Sequence, residues 1–309
     1  WDAEHAYKKM KAAGMNVYPD TVVGKIDSNV TYGGDTLGMY DASVKGANGK
    51  ISITTDNEIN GLPTAARNIV ESNAEICQVG VAVVDTGIDT SNSVFSGRVL
   101  SGYSVTGGST NDRYGHGTHV ASIIANNTPS NVKLIPIKVT DDNGAFTMSG
   151  LATALAYISE HSSEINVVNL SLSLNTNDSA QMDAVASYVN TYIDDLYNKG
   201  ILIVTSAGNV GSDSSFTADQ SYPANNDKTI AVSALTKSNG TWQFYNKSAS
   251  GSAVDFCAPG HNIRGVQASS MGMEEINEAS GYKGEYLSLG DGTCIMNGTS
   301  QAAAFVTSA

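Results

Sequence analysis

Four side chains in this chain are of the types that hydroxyl-based nucleophilic chemistry requires, and each stands at the edge of an apolar or small-residue run. Asp85 directly follows "VGVAVV", and His116 lies in "YGHGTHVAS" at a glycine-flanked helix start. Asn209 closes "ILIVTSAGN", and Ser300 stands in "NGTSQAAA", between a flexible dipeptide and a row of alanines. Each has an ordinary structural explanation. An aspartate or asparagine leaving a strand commonly forms a turn, and a serine ahead of alanines is a good helix start. Together they meet a chemical requirement. A serine hydroxyl at neutral pH is a weak nucleophile until a neutral imidazole within hydrogen-bond reach takes its proton. The imidazole needs a carboxylate to fix its tautomer and stabilise the cation that forms. A developing oxyanion needs donors already aimed at it, such as a side-chain amide and a backbone N–H. The order Asp, His, Asn, Ser supplies all four functions.

Other chemistries fit less well. His116 and His119 are three residues apart, whereas a zinc-binding helix pair needs four-residue spacing with a glutamate after the first histidine. Gly117 occupies that place, so no metal is expected there. The triplet Asp85-Thr86-Gly87 also occurs in enzymes that share one proton between two aspartates, but a second such triplet is missing. Cys77, Cys257 and Cys294 are too few and too scattered for a disulfide framework or a zinc site and read as buried thiols.

The elements that must position these groups follow an alternating pattern. From about residue 62, a helical stretch "PTAARNIVES" leads to "VGVAVV", then "YGHGTHVASIIA" (helix), "VKLIPIKV" (strand), "MSGLATALAYISEH" (helix) and "INVVNLSL" (strand). A long helix around 179–199 precedes "ILIVTSAGN". Apolar strands alternating with amphipathic helices predict an α/β fold, a doubly wound and mostly parallel sheet with helices on both faces. In such sheets functional groups gather beyond the carboxyl ends of the strands. Residues 265–295, rich in Gly, Ser and Met, read as a long surface insertion. Residues 1–23 read as an amphipathic helix followed by a strand, and 24–60 as a turn-rich connection. The expected division is therefore an N-terminal extension over 1–60 and one large domain over 61–309.

A formal charge of −13 argues against nucleic acid as a partner. No apolar run approaches the roughly 20 residues that span a bilayer. The charged start "WDAEHAYKKMKAAG" does not read as a secretory signal.

The segments "VAVVDTGID", "GHGTHVAS", "VVNLSL", "TSAGN", "YPA", "CAPG" and "NGTSQAAA" resemble, in order, the sequence blocks of subtilisin-like serine proteases. The resemblance covers about residues 62–309. It implies an endopeptidase in which Ser300 attacks a peptide carbonyl, His116 carries the proton and Asp85 orients His116. Asn209 and the Ser300 N–H would hold the oxyanion. It further implies an edge strand at Ser171, Leu172 and Ser173 that pairs with an extended substrate, with Gly144 opening the opposite wall. Ser206, Ala207 and Gly208 would line the first specificity pocket, with Ser221 near its floor. None of these positions is charged, so an apolar or medium-sized residue is expected before the scissile bond. The implied partner is a protein or peptide, and the implied location extracellular or at the cell surface.

Some positions depart from the family. Gln301 stands where a methionine is usual, and Ala304 and Phe305 where Pro-His is usual. Val94 replaces a calcium-ligating aspartate, so no calcium is expected at the usual family site, while Asp141 and Asp142 leave a weaker site open. No other cofactor is implied. Residues 1–23 are similar to the end of an inhibitory propeptide; they fit an additional helix–strand element equally well. The chain stops nine residues after Ser300, so either the last helix is short or a C-terminal portion is missing.

Overall fold

The core is a sheet built around β1 (Val79–Asp85), whose two faces are both apolar. The fold is that of a computed structural model, which describes residues 78–309 apart from 176–178, 211–215, 239–240 and 280. The extension expected over 1–60, the helix expected at 63–72 and Cys77 lie outside the described residues.

Beyond β1, the main strands are β2 (Tyr103–Ser104), β3 (Val132–Lys138), β4 (Val167–Leu170) and β6 (Leu202–Ser206), followed by β8 (Ile230–Ser238) and β10 (Phe256–Pro259). Their spatial order is β10-β8-β6-β4-β1-β3-β2, all parallel. β9 (Thr241–Phe244) adds to β8 in the antiparallel sense. Two further short strands, β5 (Leu174–Asn175) and β7 (Ser221–Tyr222), pair with each other. The chain runs from β1 to one edge and then crosses back to build the other half. The strand order thus reverses at β1, where a crevice opens beyond the strand ends.

Side chains of a strand alternate between faces, and here both faces are covered. Val81 and Val83 pack with Val120, Ile123 and Ile124 of α1 (His116–Asn127) and with Ala302, Ala303 and Ala304 of α4 (Thr299–Ser308). Ala82 and Val84 pack on the other side with Leu151, Leu155 and Ile158 of α2 (Met148–Glu160), and with Val189, Ile193 and Leu196 of α3 (Ser179–Asn198). The alanines of α4 are fully buried, so the helix lies directly on the sheet. The expected doubly wound α/β architecture is present.

Two expectations need correction. Residues 265–295 are not a plain surface insertion. β11 (Ile263–Val266), β13 (Thr293–Met296) and β12 (Leu287–Ser288) form an antiparallel sheet. Tyr286, Cys294 and Met296 are buried there beneath Met271 and Met273, a small second core. Strands this short, separated by a Gly- and Ser-rich stretch, leave no readable alternation. Residues 171–173 do not form a strand; they continue beyond the end of β4.

Candidate active site

The rim at the carboxyl end of β1 carries Asp85, which is 3% exposed. Its carboxylate grips His116, with Oδ1 2.8 Å and Oδ2 3.0 Å from Nδ1. The grip depends on Gly117. A Cβ at that position would stand 2.3 Å from the Gly87 carbonyl and 3.0 Å from Asp85 Oδ1. Only a residue without a side chain lets the first turn of α1 come so close to the strand end. The approach is fastened by the Gly117 N–H, which donates to Thr86 Oγ1 at 2.8 Å.

α1 has no cap of its own, since Gly115 stands at the N-cap. Asp112, 0% exposed, takes over that task. Its Oδ1 accepts from the Tyr114 and Gly115 N–H groups, and its Oδ2 from the Thr118 N–H and hydroxyl, at 2.6–2.9 Å. A buried carboxylate with four donors is paired as burial requires.

Burial presses His116 toward its neutral form, but the Asp85 carboxylate acts against it through charge and hydrogen bond. Asp112 and Glu285 add smaller pulls, and the net result lies above the ordinary 6.5. His119 behaves differently. It is fully buried, its Nε2 lies 3.1 Å from the Ile263 carbonyl, and burial with the neighbouring His116 pushes it down to about 3. It is a core histidine.

Ser300 sits in the first turn of α4 and is 8% exposed. Its Oγ donates to the Ser171 carbonyl at 3.0 Å, and the Ser171 hydroxyl returns a bond to the Ser300 carbonyl at 2.8 Å. Asn169, inside β4, donates to Ser171 Oγ at 2.9 Å and accepts from Thr307 at 2.8 Å. The serine loop is thereby tied to the central strand. The Ser300 hydroxyl thus donates to Ser171, on the groove that His116 also lines.

Asn209 reaches the same place from the turn after β6. Its Oδ1 accepts from the Thr299 N–H at 3.0 Å and from the Thr299 hydroxyl at 3.2 Å, which leaves its amide NH2 as a donor. Gly298, at φ 148°, holds a backbone conformation that favours glycine, and a Cβ there would also press on Asn209, 3.1 Å from Nδ2. The Ser300 N–H belongs to the first four amides of α4, which have no acceptor within the helix.

One groove, of about 270 Å³, collects these groups. Asp85, His116, Asn209 and Ser300 line it together with Ser171, Leu172, Ser173, Gly144 and Ser206. Ala207 and Gly208 do not line it. Ala207 is buried against Ala218 and Ala249, and the Gly208 N–H donates to Thr299 Oγ1 behind the wall. Ser221 lies in β7, also outside the lining. Asp141 accepts from the Asn143 and Ala145 N–H groups as a turn residue, and Asp142 pairs with Lys138 at 2.8 Å.

A profile described as the subtilase family matches residues 78–309. The chain belongs to the subtilase family. This subtilase is 35% identical over 198 residues to subtilisin E of Bacillus subtilis (strain 168), covering 60% of this chain and 48% of that protein. It is 33% identical over 186 residues to an extracellular serine proteinase of Thermus sp. (strain Rt41A), covering 59% and 42%. The chain thus spans less than half the length of these relatives. Among solved structures it is similar to a cold-adapted subtilisin-like serine proteinase, with a TM-score of 0.56, 25% identity, and coverage of 74% of this chain and 72% of the other.

Sequence reasoning missed several supporting residues. Asp112 had a readable signal, an aspartate three residues ahead of the glycine that precedes the helix start at His116. Asn169 had one too, a lone amide in an apolar strand that must find buried partners. Tyr114, Met273 and Glu285 of the groove had none, because their meeting depends on a contact between residues 171 positions apart.

Proposed function

We propose that this chain carries the peptidase domain of a serine endopeptidase, over residues 61–309, with 1–60 as an N-terminal extension. The observation that carries the reading is the Asp85–His116 pair at 2.8 Å, opening on the same groove as the hydroxyl at the head of a buried helix. In the reaction, Ser300 Oγ turns from the Ser171 carbonyl toward His116 Nε2 and attacks the peptide carbonyl as His116 takes its proton. Asp85 holds Nδ1–H and stabilises the imidazolium. The amide of Asn209 and the Ser300 N–H receive the oxyanion, assisted by the positive end of α4. His116 then protonates the leaving amine, and water releases the acyl group by the same route.

An extended peptide lies along 171–173 and pairs through its backbone, a mode that accepts many sequences. Ser206 and the uncharged residues beside it favour an apolar or medium-sized side chain before the scissile bond. The protein works outside the cell or at its surface, a reading supported by the extracellular proteinase among its relatives. No helix among the described residues is long and apolar enough to cross a membrane. Calcium at the usual family position is not part of the reading, because Val94 stands there half-buried against the core.

The test is labelling with a fluorophosphonate, followed by mapping of the modified residue. Modification of Ser300 that disappears in His116→Ala is expected. An unlabelled serine, or labelling indifferent to His116, would mean a peptide-binding module on a protease fold.

A further inference from the structure

The groove has a wall that the catalytic scheme does not use. The segment between β11 and β13 folds over the start of α1 and is fastened there at several points. The Ser269 N–H donates to Asp89 Oδ2 at 2.6 Å, and the Gly272 and Met273 N–H groups donate to the Tyr114 carbonyl at 3.0 and 3.2 Å. The Tyr114 hydroxyl donates to Glu285 Oε1 at 2.9 Å, and the Glu274 N–H donates to Glu285 Oε2 at 3.1 Å. Glu285 and Met273 line the groove beside Tyr114 and His116.

Neither lysine nor arginine occurs among the lining residues, and the carboxylates there are those of Asp85 and Glu285. Asp85 is buried and committed to His116. Glu285 is exposed, and two hydrogen bonds occupy only part of the acceptor capacity of its two oxygens. The Tyr114 phenol is held as a donor, because burial and then the neighbouring Glu285 push it up to about 12. A fixed, unspent negative charge therefore faces the substrate path. The Tyr114 ring and the Met273 side chain flank it with apolar surface.

We propose that Glu285, presented by Tyr114, is a specificity-determining residue that selects a lysine or arginine side chain at the second substrate residue before the scissile bond. The inference rests on the endopeptidase reading above. Successive side chains of an extended peptide point to opposite faces. If the residue before the scissile bond enters the pocket at Ser206, its predecessor points the other way, toward His116, Tyr114 and Glu285. The aliphatic stem of lysine or arginine packs on Met273 and the Tyr114 ring while its charge meets the carboxylate.

The experiment is cleavage of a peptide library randomised around the scissile bond, with the cut sites read by mass spectrometry, for the full chain and for Glu285→Gln. Glutamine keeps an acceptor for the Tyr114 hydroxyl, and equal thermal unfolding of the two proteins checks that the wall is intact. Enrichment of Lys and Arg at the second position is expected in the parent. In the variant, the kcat/KM ratio between a lysine and an alanine substrate should fall about fivefold, as for one partly exposed charge pair. Raising salt should shrink the parent's preference in the same direction. Cleavage without that enrichment, or with a ratio unaltered by Glu285→Gln, overturns the assignment and leaves the endopeptidase reading standing. No cleavage of any library member, with no labelling of Ser300, overturns both.

Discussion

Gly117→Ala tests whether the approach of α1 to the end of β1 is what holds the catalytic pair. The added Cβ would stand 2.3 Å from the Gly87 carbonyl oxygen. An ordinary carbon–oxygen contact is about 3.3 Å, so something must move by about 1 Å. The turn bearing Gly87 is poorly placed to yield. Gly87 has φ 110°, and the next N–H, of Ile88, bonds the Thr110 carbonyl at 3.0 Å. The displacement therefore falls on the first turn of α1, and hence on His116. Alanine is the better helix former by about 1 kcal/mol, whereas overpacking costs about 1–3 kcal/mol. A net loss of Tm of a few degrees follows for a domain of this size. A shift of about 1 Å in a catalytic group costs on the order of 100-fold in rate. The assay is kcat/KM on a peptide substrate, alongside the rate of fluorophosphonate labelling. Both should fall about 100-fold, with KM little changed because Ser171, Leu172 and Ser206 are untouched. A variant with parental rates and a raised Tm would refute the reasoning.

Two further outcomes are expected. In the parent, the raised His116 pKa places the acid limb of kcat/KM above pH 6.5, because only the neutral imidazole can take the Ser300 proton. Asp85→Asn removes the chief upward pull and leaves the burial, so the limb should move to lower pH in a pH–rate profile. The accompanying loss in kcat should be about 10⁴-fold, the size typical when the carboxylate of an Asp-His-Ser triad is replaced by an amide. An unmoved limb would sink the assignment of Asp85. Asp112→Asn keeps the acceptor for Tyr114 and Gly115 but turns an NH2 toward the two Thr118 donors. Two charge-assisted bonds are lost: the Thr118 hydroxyl can turn to accept from the new NH2, but the Thr118 N–H is left facing a donor, costing roughly 2 kcal/mol. A urea titration should show a lower midpoint, and an unchanged midpoint would remove Asp112 from the role of cap.

Half of the parallel sheet was legible, because β1, β3 and β4 are apolar runs followed by helix-length amphipathic segments and β6 is an apolar run behind a long helix. β8 and β10, which lead into further strands rather than helices, gave no such alternation. Asp85 and Asn209 were legible because they interrupt that pattern at strand ends, where the fold leaves a crevice. The pocket residues were less so. Ser206, Ala207 and Gly208 are consecutive, but only Ser206 faces the groove, and which residue of a turn faces outward depends on backbone angles that no local pattern reveals. The wall around Glu285 was illegible for a different reason. Its strands are too short for alternation to register, and what holds it over α1 is a set of bonds to Asp89 and Tyr114, far away in the chain.

Those bonds belong to a wider arrangement. Helices usually carry a side-chain cap at their own N-terminus, yet the two helices that present His116 and Ser300 both begin after glycine, with no side-chain cap from that residue. The donors at the start of α1 are satisfied by Thr86 and Asp112, and that of Thr299 at the start of α4 by Asn209. Thr86 follows the end of β1, and Asn209 follows the turn beyond β6. Completing each helix and assembling the groove are therefore the same event. The glycines are what permit it, since a side chain at 298 would meet the Asn209 amide and one at 117 would meet the Gly87 carbonyl and the Asp85 carboxylate. An amide at 209 that caps Thr299 has its NH2 oriented before any substrate arrives, and an imidazole whose helix is capped by Asp112 stands beside a second buried negative charge. Substitutions at Thr86, Asp112 or Thr299 should on this account lower stability and catalysis together, whereas one at Glu285 should alter substrate choice and, through its smaller pull on His116, lower the acid limb slightly.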